Sequence, residues 1–210
     1  MSSLFFSAFL LLSDLSLVNA HSSDFCTNYT IAKVSSGELS LDLFEMSGLL
    51  SLGGKQLAHV QDSGNDPFLI LTDRSGKVEQ RIRFAEVSTD PEELARGVCP
   101  FNEGSCIYVM DTGDNFGWRG TRNIWAIEES TMKTAKPRIE NLIFTFPGAE
   151  RIDSEAAAVV GKTIFLFAKE KKHARVFALD LSAWKDGPKE AKQIADLPYT
   201  MLTGASATKD

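Results

Sequence analysis

The chain has 210 residues, 43% of them hydrophobic and 24% charged, with a formal net charge of −6. That composition supports a sizeable globular core. The mild acidity and the lack of a basic stripe argue against a nucleic-acid partner and suit a protein that holds cations.

The first twenty residues, MSSLFFSAFLLLSDLSLVNA, set an apolar core from Leu4 to Leu12 ahead of Val18 and Ala20. Small residues at those two places suit signal-peptide cleavage after Ala20, so residues 1–20 are predicted to be a leader and residues 21–210 the exported, secreted or extracytoplasmic chain. No Lys or Arg precedes the run and Asp14 interrupts its far end. A short buried helix or an uncleaved anchor is the alternative reading. The run is short for a bilayer span and no later stretch is apolar enough, so the mature chain is expected to have none. Asn28-Tyr29-Thr30 is an N-glycosylation acceptor wherever the pathway is eukaryotic.

Cysteines follow at positions 26, 99 and 106. Cys99 and Cys106 bracket PFNEGS, a turn-rich stretch, and in an oxidising compartment they are expected to close a hairpin as a disulfide. Two free buried thiols are the alternative, and Cys26 is left without a partner.

After the leader, short runs rich in Ile, Val, Phe and Tyr dominate: LAHVQD, FLILTD, QRIRFAEV, CIYVMD, NIWAIEE, NLIFTFP, TIFLFAK and RVFALD. Each is bounded by Gly, Asp, Asn, Ser or Pro, the signature of strands. DPEELA admits either one helical turn capped by Asp90 or a turn that feeds a strand. The strands recur in an order. An acidic entry at Glu45, Glu92 or Glu155 leads to a hairpin, then an apolar strand, then two more strands. Units of four strands over roughly 40 to 60 residues predict β-propeller blades, here spanning about 45–88, 92–149 and 153–200, with the start of a fourth at 201–210. A β-sandwich also uses short strands, but it does not require a repeating four-strand order. About three and a half blades do not close a propeller, so the chain reads as a partial β-propeller domain, part of a longer protein.

Two chemistries attach to this repeat. Carboxylates at successive blade entries would converge on one mouth of the central channel, where like charges resist joint ionisation and a hard cation such as Ca²⁺ resolves the conflict. Glu45, Glu92 and Glu155 are therefore candidate metal ligands. So are Asp62, Asp111 and Asp114, in the turns DSGN and DTGDN. The competing account is local: Asp and Asn fold back on nearby amides, and Gly supplies the unusual backbone geometry. DTGDN is not an EF-hand, because its twelfth position is Arg122 where a bidentate Glu is needed. GKT at 161–163 lacks the leading glycine of a phosphate loop. His59 within an apolar strand reads as a packed, hydrogen-bonded histidine. Trp118 and Arg119 lie in a long loop that can touch a ligand such as a sugar.

The order of motifs resembles a family of secreted, mostly bacterial, functionally uncharacterised six-bladed β-propeller proteins. Their pattern appears as Glu45-Met46-Ser47-Gly48, Asp62-Ser63-Gly64-Asn65, Asp90-Pro91-Glu92-Glu93-Leu94-Ala95 and Asp111-Thr112-Gly113-Asp114-Asn115. It continues through Phe146-Pro147-Gly148, Glu155-Ala156 and Ala168-Lys169-Glu170. The resemblance covers about residues 43–206, with Val60-Gln61 in place of a His-Asn pair and Pro91 in place of a Trp. It implies that the chain holds the first half of a six-bladed propeller. Phytase-like and lactonase propellers are relatives in architecture only. The expectation is a binding or scaffold module with an acidic, calcium-organised mouth that takes a small molecule, a glycan or a protein. A calcium-dependent hydrolase, in which a metal-bound water attacks an ester, is the alternative.

Overall fold

The computed structural model describes residues 43–207. The leader, Cys26 and Asn28 lie outside them. The described chain is all-β, with strands β1 (Met46–Gly53), β2 (Gln56–Gln61), β3 (Phe68–Asp73), β4 (Val78–Arg83), β5 (Pro91–Val98), β6 (Ser105–Asp111) and β7 (Arg122–Glu128). They continue as β8 (Ile139–Thr145), β9 (Ser154–Val160), β10 (Thr163–Ala168), β11 (Ala174–Asp180), β12 (Lys189–Glu190) and β13 (Lys192–Leu197). Only short 3-10 turns interrupt them, and among the described residues no helix is long and apolar enough to cross a membrane. DPEELA is strand, not helix: Pro91 opens β5, where its missing N–H costs no ladder bond.

The strands form three sheets, each an antiparallel meander: β1-β2-β3-β4, β5-β6-β7-β8 and β9-β10-β11-β13. β12 adds to the outer edge of β8 in parallel, pairing Lys189 with Phe144 and Glu190 with Thr145. The predicted four-strand order is therefore present three times.

Successive side chains of a strand point to opposite faces, and β6 uses both. Ile107 and Val109 join Ala58, Val60, Leu69, Leu71, Ile82 and Phe84 of the first sheet. Tyr108 and Met110 join Ile164, Leu166, Phe177 and Leu179 of the third. The middle sheet is thus buried on both faces, which is why CIYVM is continuously apolar rather than alternating. A two-sheet sandwich has one core; the described residues form two, side by side. Phe146 anchors the second, with edge-on rings of Phe144 and Phe177 at 5.4 and 4.8 Å. His59 is buried in the first sheet, its Nε2 2.8 Å from Thr72 Oγ1.

The first strands of the sheets lie next to one another, with β5 between β1 and β9. Small residues permit this. A Cβ on Gly97 would stand 2.4 Å from Val159 Cγ1, and one on Gly48 would stand 2.9 Å from the Leu94 amide nitrogen. At the far end of β5, Cys99 and Cys106 form the predicted disulfide across the hairpin, with Cα atoms 4.9 Å apart.

Candidate carboxylate site

One hydrogen bond recurs where each first strand begins. The Asp62 N–H donates to Glu45 O (2.9 Å), the Gly113 N–H to Asp90 O (3.1 Å) and the Lys169 N–H to Asp153 O (2.9 Å). This bond defines equivalent positions. Glu45, Asp90 and Asp153 occupy one of them. Two residues on, Ser47, Glu92 and Glu155 occupy the next. Asp62, Gly113 and Lys169 face them from the end of each second strand.

The structure therefore divides the six candidate ligands. Glu92 and Glu155 come together, and Asp62 joins them. Glu45 does not: it precedes β1 with a positive φ of 50°, its carboxylate is exposed and accepts a hydrogen bond from Asn65 Nδ2 (3.1 Å). Ser47 stands in its place and donates to Glu92 Oε2 at 2.8 Å. A register shift marks the entry of all three first strands, between Met46 and Leu49, Pro91 and Glu93, and Phe167 and Ala168, so the difference at β1 lies in the positive φ of Glu45 and in Ser47.

Asp111 and Asp114 are engaged elsewhere. The Asp111 carboxylate accepts the Thr89 and Asp90 amides (3.2 and 2.9 Å) and pairs with Arg119 at 2.8 Å. Asp114 accepts the Trp118 and Arg119 amides (2.7 and 3.1 Å) and pairs with Arg122 at 2.7 Å. Both carboxylates are buried and saturated with donors. Their work is to hold the 112–121 loop and, through the Asp90 amide, the entry of β5. Arg122 is fully buried and also donates to the carbonyls of Thr112 (3.2 Å) and Ile152 (2.7 Å). Arg151 ties Gly117 O at 3.0 Å. On this fixed loop Phe116 and Trp118 stack at 5.0 Å, and about three quarters of each ring residue is exposed.

Asp90, Asp153 and Lys169 complete the site. Two groups of carboxylates share Glu92: Asp62, Asp90 and Glu92, and then Glu92, Asp153 and Glu155. In each group one ligand atom per residue lies within 4.8 Å of the others. The buried Asp90 Oδ1 has no hydrogen-bond partner. Asp153 accepts the Asp114 amide at 2.9 Å. Lys169 Nζ donates to Glu155 and to Asn115 Oδ1 (3.4 Å), and lies 3.9 Å from Asp153 Oδ2.

Crowding and burial shape the protonation. Burial pushes Glu92 up to about 8; the Ser47 hydrogen bond opposes this, and the charges of Glu155, Asp90 and Asp62 add to it. Burial, then the Asp62 carboxyl, raises Asp90 to about 6. Burial also raises Glu155, against the pull of Lys169. Burial alone would lower Lys169, but its bond to Glu155 and the charges of Asp153 and Glu92 outweigh that and raise it. The carboxylates around Glu92 thus need either bound protons or a cation to coexist. The residues suit a hard cation. All donors are oxygens, one buried oxygen is unpartnered, and the spacing is one that a single Ca²⁺ with bonds of about 2.3–2.6 Å can bridge.

No family model matches the sequence, and no curated protein matches it. Among solved structures, the chain is similar to Kuenenia stuttgartiensis hydrazine synthase, with a TM-score of 0.41 and 14% identity over 75% of this chain and 51% of that one. The chain therefore spans about half the length of that protein.

Proposed function

We propose that the three meanders are consecutive blades of a six-bladed β-propeller, and that the acidic entry of their first strands holds a divalent cation, calcium, in an exported binding or scaffold module. The observation that carries the cation is the buried Asp90 carboxylate grouped with Asp62 and Glu92, whose Oδ1 has no hydrogen-bond donor. An acceptor buried without a donor costs about 1–3 kcal/mol, a cost that a bound ion removes. The propeller reading is supported by the repeated strand order, by the two side-by-side cores and by the adjacency of β1, β5 and β9. Export is supported by the disulfide.

The module reading is preferred to hydrolysis because the carboxylates beside the site are saturated by arginines and amides, and no described residue is poised as a nucleophile with its base. The exposed Phe116–Trp118 pair next to the site offers a flat face for a ligand such as a glycan. Calorimetry of the full chain with CaCl₂ tests the cation. Binding is expected in the native chain and strong weakening in Asp90→Asn. A flat trace from folded protein, with Asp90→Asn unchanged, removes the cation from the reading.

A further inference from the structure

We infer that Lys169 is a tethered cation that fills one of the two carboxylate groups around Glu92, so that a divalent ion is confined to Asp62, Asp90 and Glu92. This rests on the cation reading above and adds the stoichiometry of the site and the residue that sets it.

The two groups share Glu92 and are alike in composition, yet their surroundings differ. The Lys169 ammonium contacts two of the three carboxylates in the second group: it donates to Glu155 and stands 3.9 Å from Asp153. Its third tie, to Asn115 Oδ1, comes from the pinned loop and fixes the head in place. A divalent ion between Glu92, Asp153 and Glu155 would share its ligands with that ammonium, where like charges a few ångströms apart repel strongly outside bulk water. Among the described residues no basic side chain forms an ion pair with Asp62 or Asp90, and Asp90, 7% exposed, keeps its Oδ1 without a hydrogen-bond partner. The first group has no described cationic side chain in contact with it: Arg119 acts on Asp90 from a distance, while its own ion pair is with Asp111.

Position makes the same distinction. Asp62, Gly113 and Lys169 are equivalent by their recurring backbone bond. At one structural position the three sheets supply a carboxylate, an empty space and an ammonium. The first adds a ligand, the second leaves room for the Asp90 and Glu92 carboxylates, and the third supplies the countercharge. Lys169 replaces an ion with a side chain that dilution cannot remove.

The experiment counts ions. Full-length native protein, Lys169→Met, Lys169→Arg and the charge-balanced Lys169→Met/Glu155→Gln are titrated with CaCl₂ by calorimetry. Native protein and Lys169→Arg are expected to bind one ion, Lys169→Met two, and the double variant one again. Two ions on the native chain, or one on folded Lys169→Met, overturns the inference. Binding by no variant overturns the cation reading and the inference with it. Binding by Lys169→Met alone overturns the cation reading of the native site while keeping Lys169 as the occupant of the second group. Should Lys169→Met fail to fold, the native chain still decides: amine-labelling of Lys169, read by mass spectrometry, is expected to be the same with and without saturating CaCl₂. A rise in labelling with calcium means that the ion displaces the lysine, which overturns the inference.

Discussion

Gly113 faces Glu92 with nothing between them: a Cβ at position 113 would lie 2.4 Å from Glu92 Oε1 and 2.5 Å from Asp90 Oδ2. The second sheet can bring two carboxylates to the centre because the residue opposite them has no side chain. Gly113→Ala should displace both carboxylates. The overpacking is expected to cost about 1–3 kcal/mol of stability and to weaken calcium binding tenfold or more, about 1.4 kcal/mol. Paired urea denaturation and calorimetry check this, and unchanged affinity would detach Asp90 and Glu92 from the ion.

Glu92 gives the metal-free protein a pH dependence of definite sign. Its pKa is about 8 in the fold against 4.5 for an unperturbed Glu. Between these values the folded state keeps a proton that the unfolded chain releases, so this contribution is full below pH 4.5 and is lost as pH rises through 8. Urea midpoints in chelator should fall from pH 5 to 8, by up to about 1.4 kcal/mol per pH unit from this group. Glu92→Gln should flatten the slope, and saturating calcium should oppose it. A slope that is the same in native protein and Glu92→Gln would contradict the assignment.

Arg122 is a buried charge with Asp114 as its partner and backbone carbonyls as its other acceptors. Arg122→Ala leaves Asp114 buried and unpaired, with an expected cost of about 3–5 kcal/mol. Arg122→Met with Asp114→Asn removes both charges and should recover part of that loss. Thermal melts of the single and double variants measure the difference.

The Cys99–Cys106 disulfide closes a short loop, with a sequence separation of 7. Chain entropy over so few residues predicts about 2–3 kcal/mol of stabilisation. Urea midpoints with and without reductant should differ by that amount, and Cys99→Ser/Cys106→Ser should match the reduced protein.

The architecture was legible where burial dictates residue type. A strand sandwiched between two cores must be apolar on both faces, and CIYVM showed it. The disulfide was legible because its hairpin is closed by local turn residues. The site was only half legible. Aligning the repeats on Glu45, Glu92 and Glu155 followed residue type, whereas the backbone bond places Glu45 with Asp90 and Asp153. A clue was present: Asp90-Pro91-Glu92 and Asp153-Ser154-Glu155 share an acid-x-Glu spacing, and Glu45-Met46-Ser47 keeps its first acid but ends in Ser. The equivalence of Asp62 and Lys169 was hidden because the second turn is one residue longer, so that Gly113 rather than Thr112 makes the matching bond. The fate of Asp111 and Asp114 depended on Arg119 and Arg122, which reach them only once the loop has folded back.

β12 carries a mechanical consequence. Sheet order follows chain order except here, where Lys189 and Glu190 leave the third meander and zip onto β8 of the second. The Ala191 N–H extends the seam to Thr145 O at 2.8 Å, and Glu190 reaches the Gly148 amide at 3.2 Å. Parallel strands resist sliding along their length, so the seam works as a latch. The outer rim of the second sheet is denied to a neighbouring molecule's strand, and the second and third meanders cannot part without first breaking that seam. Under tension the two should yield together, as one unit, while the first sheet, joined to the second by side-chain packing and by side-chain hydrogen bonds such as Ser47 to Glu92 but by no strand seam, gives way separately.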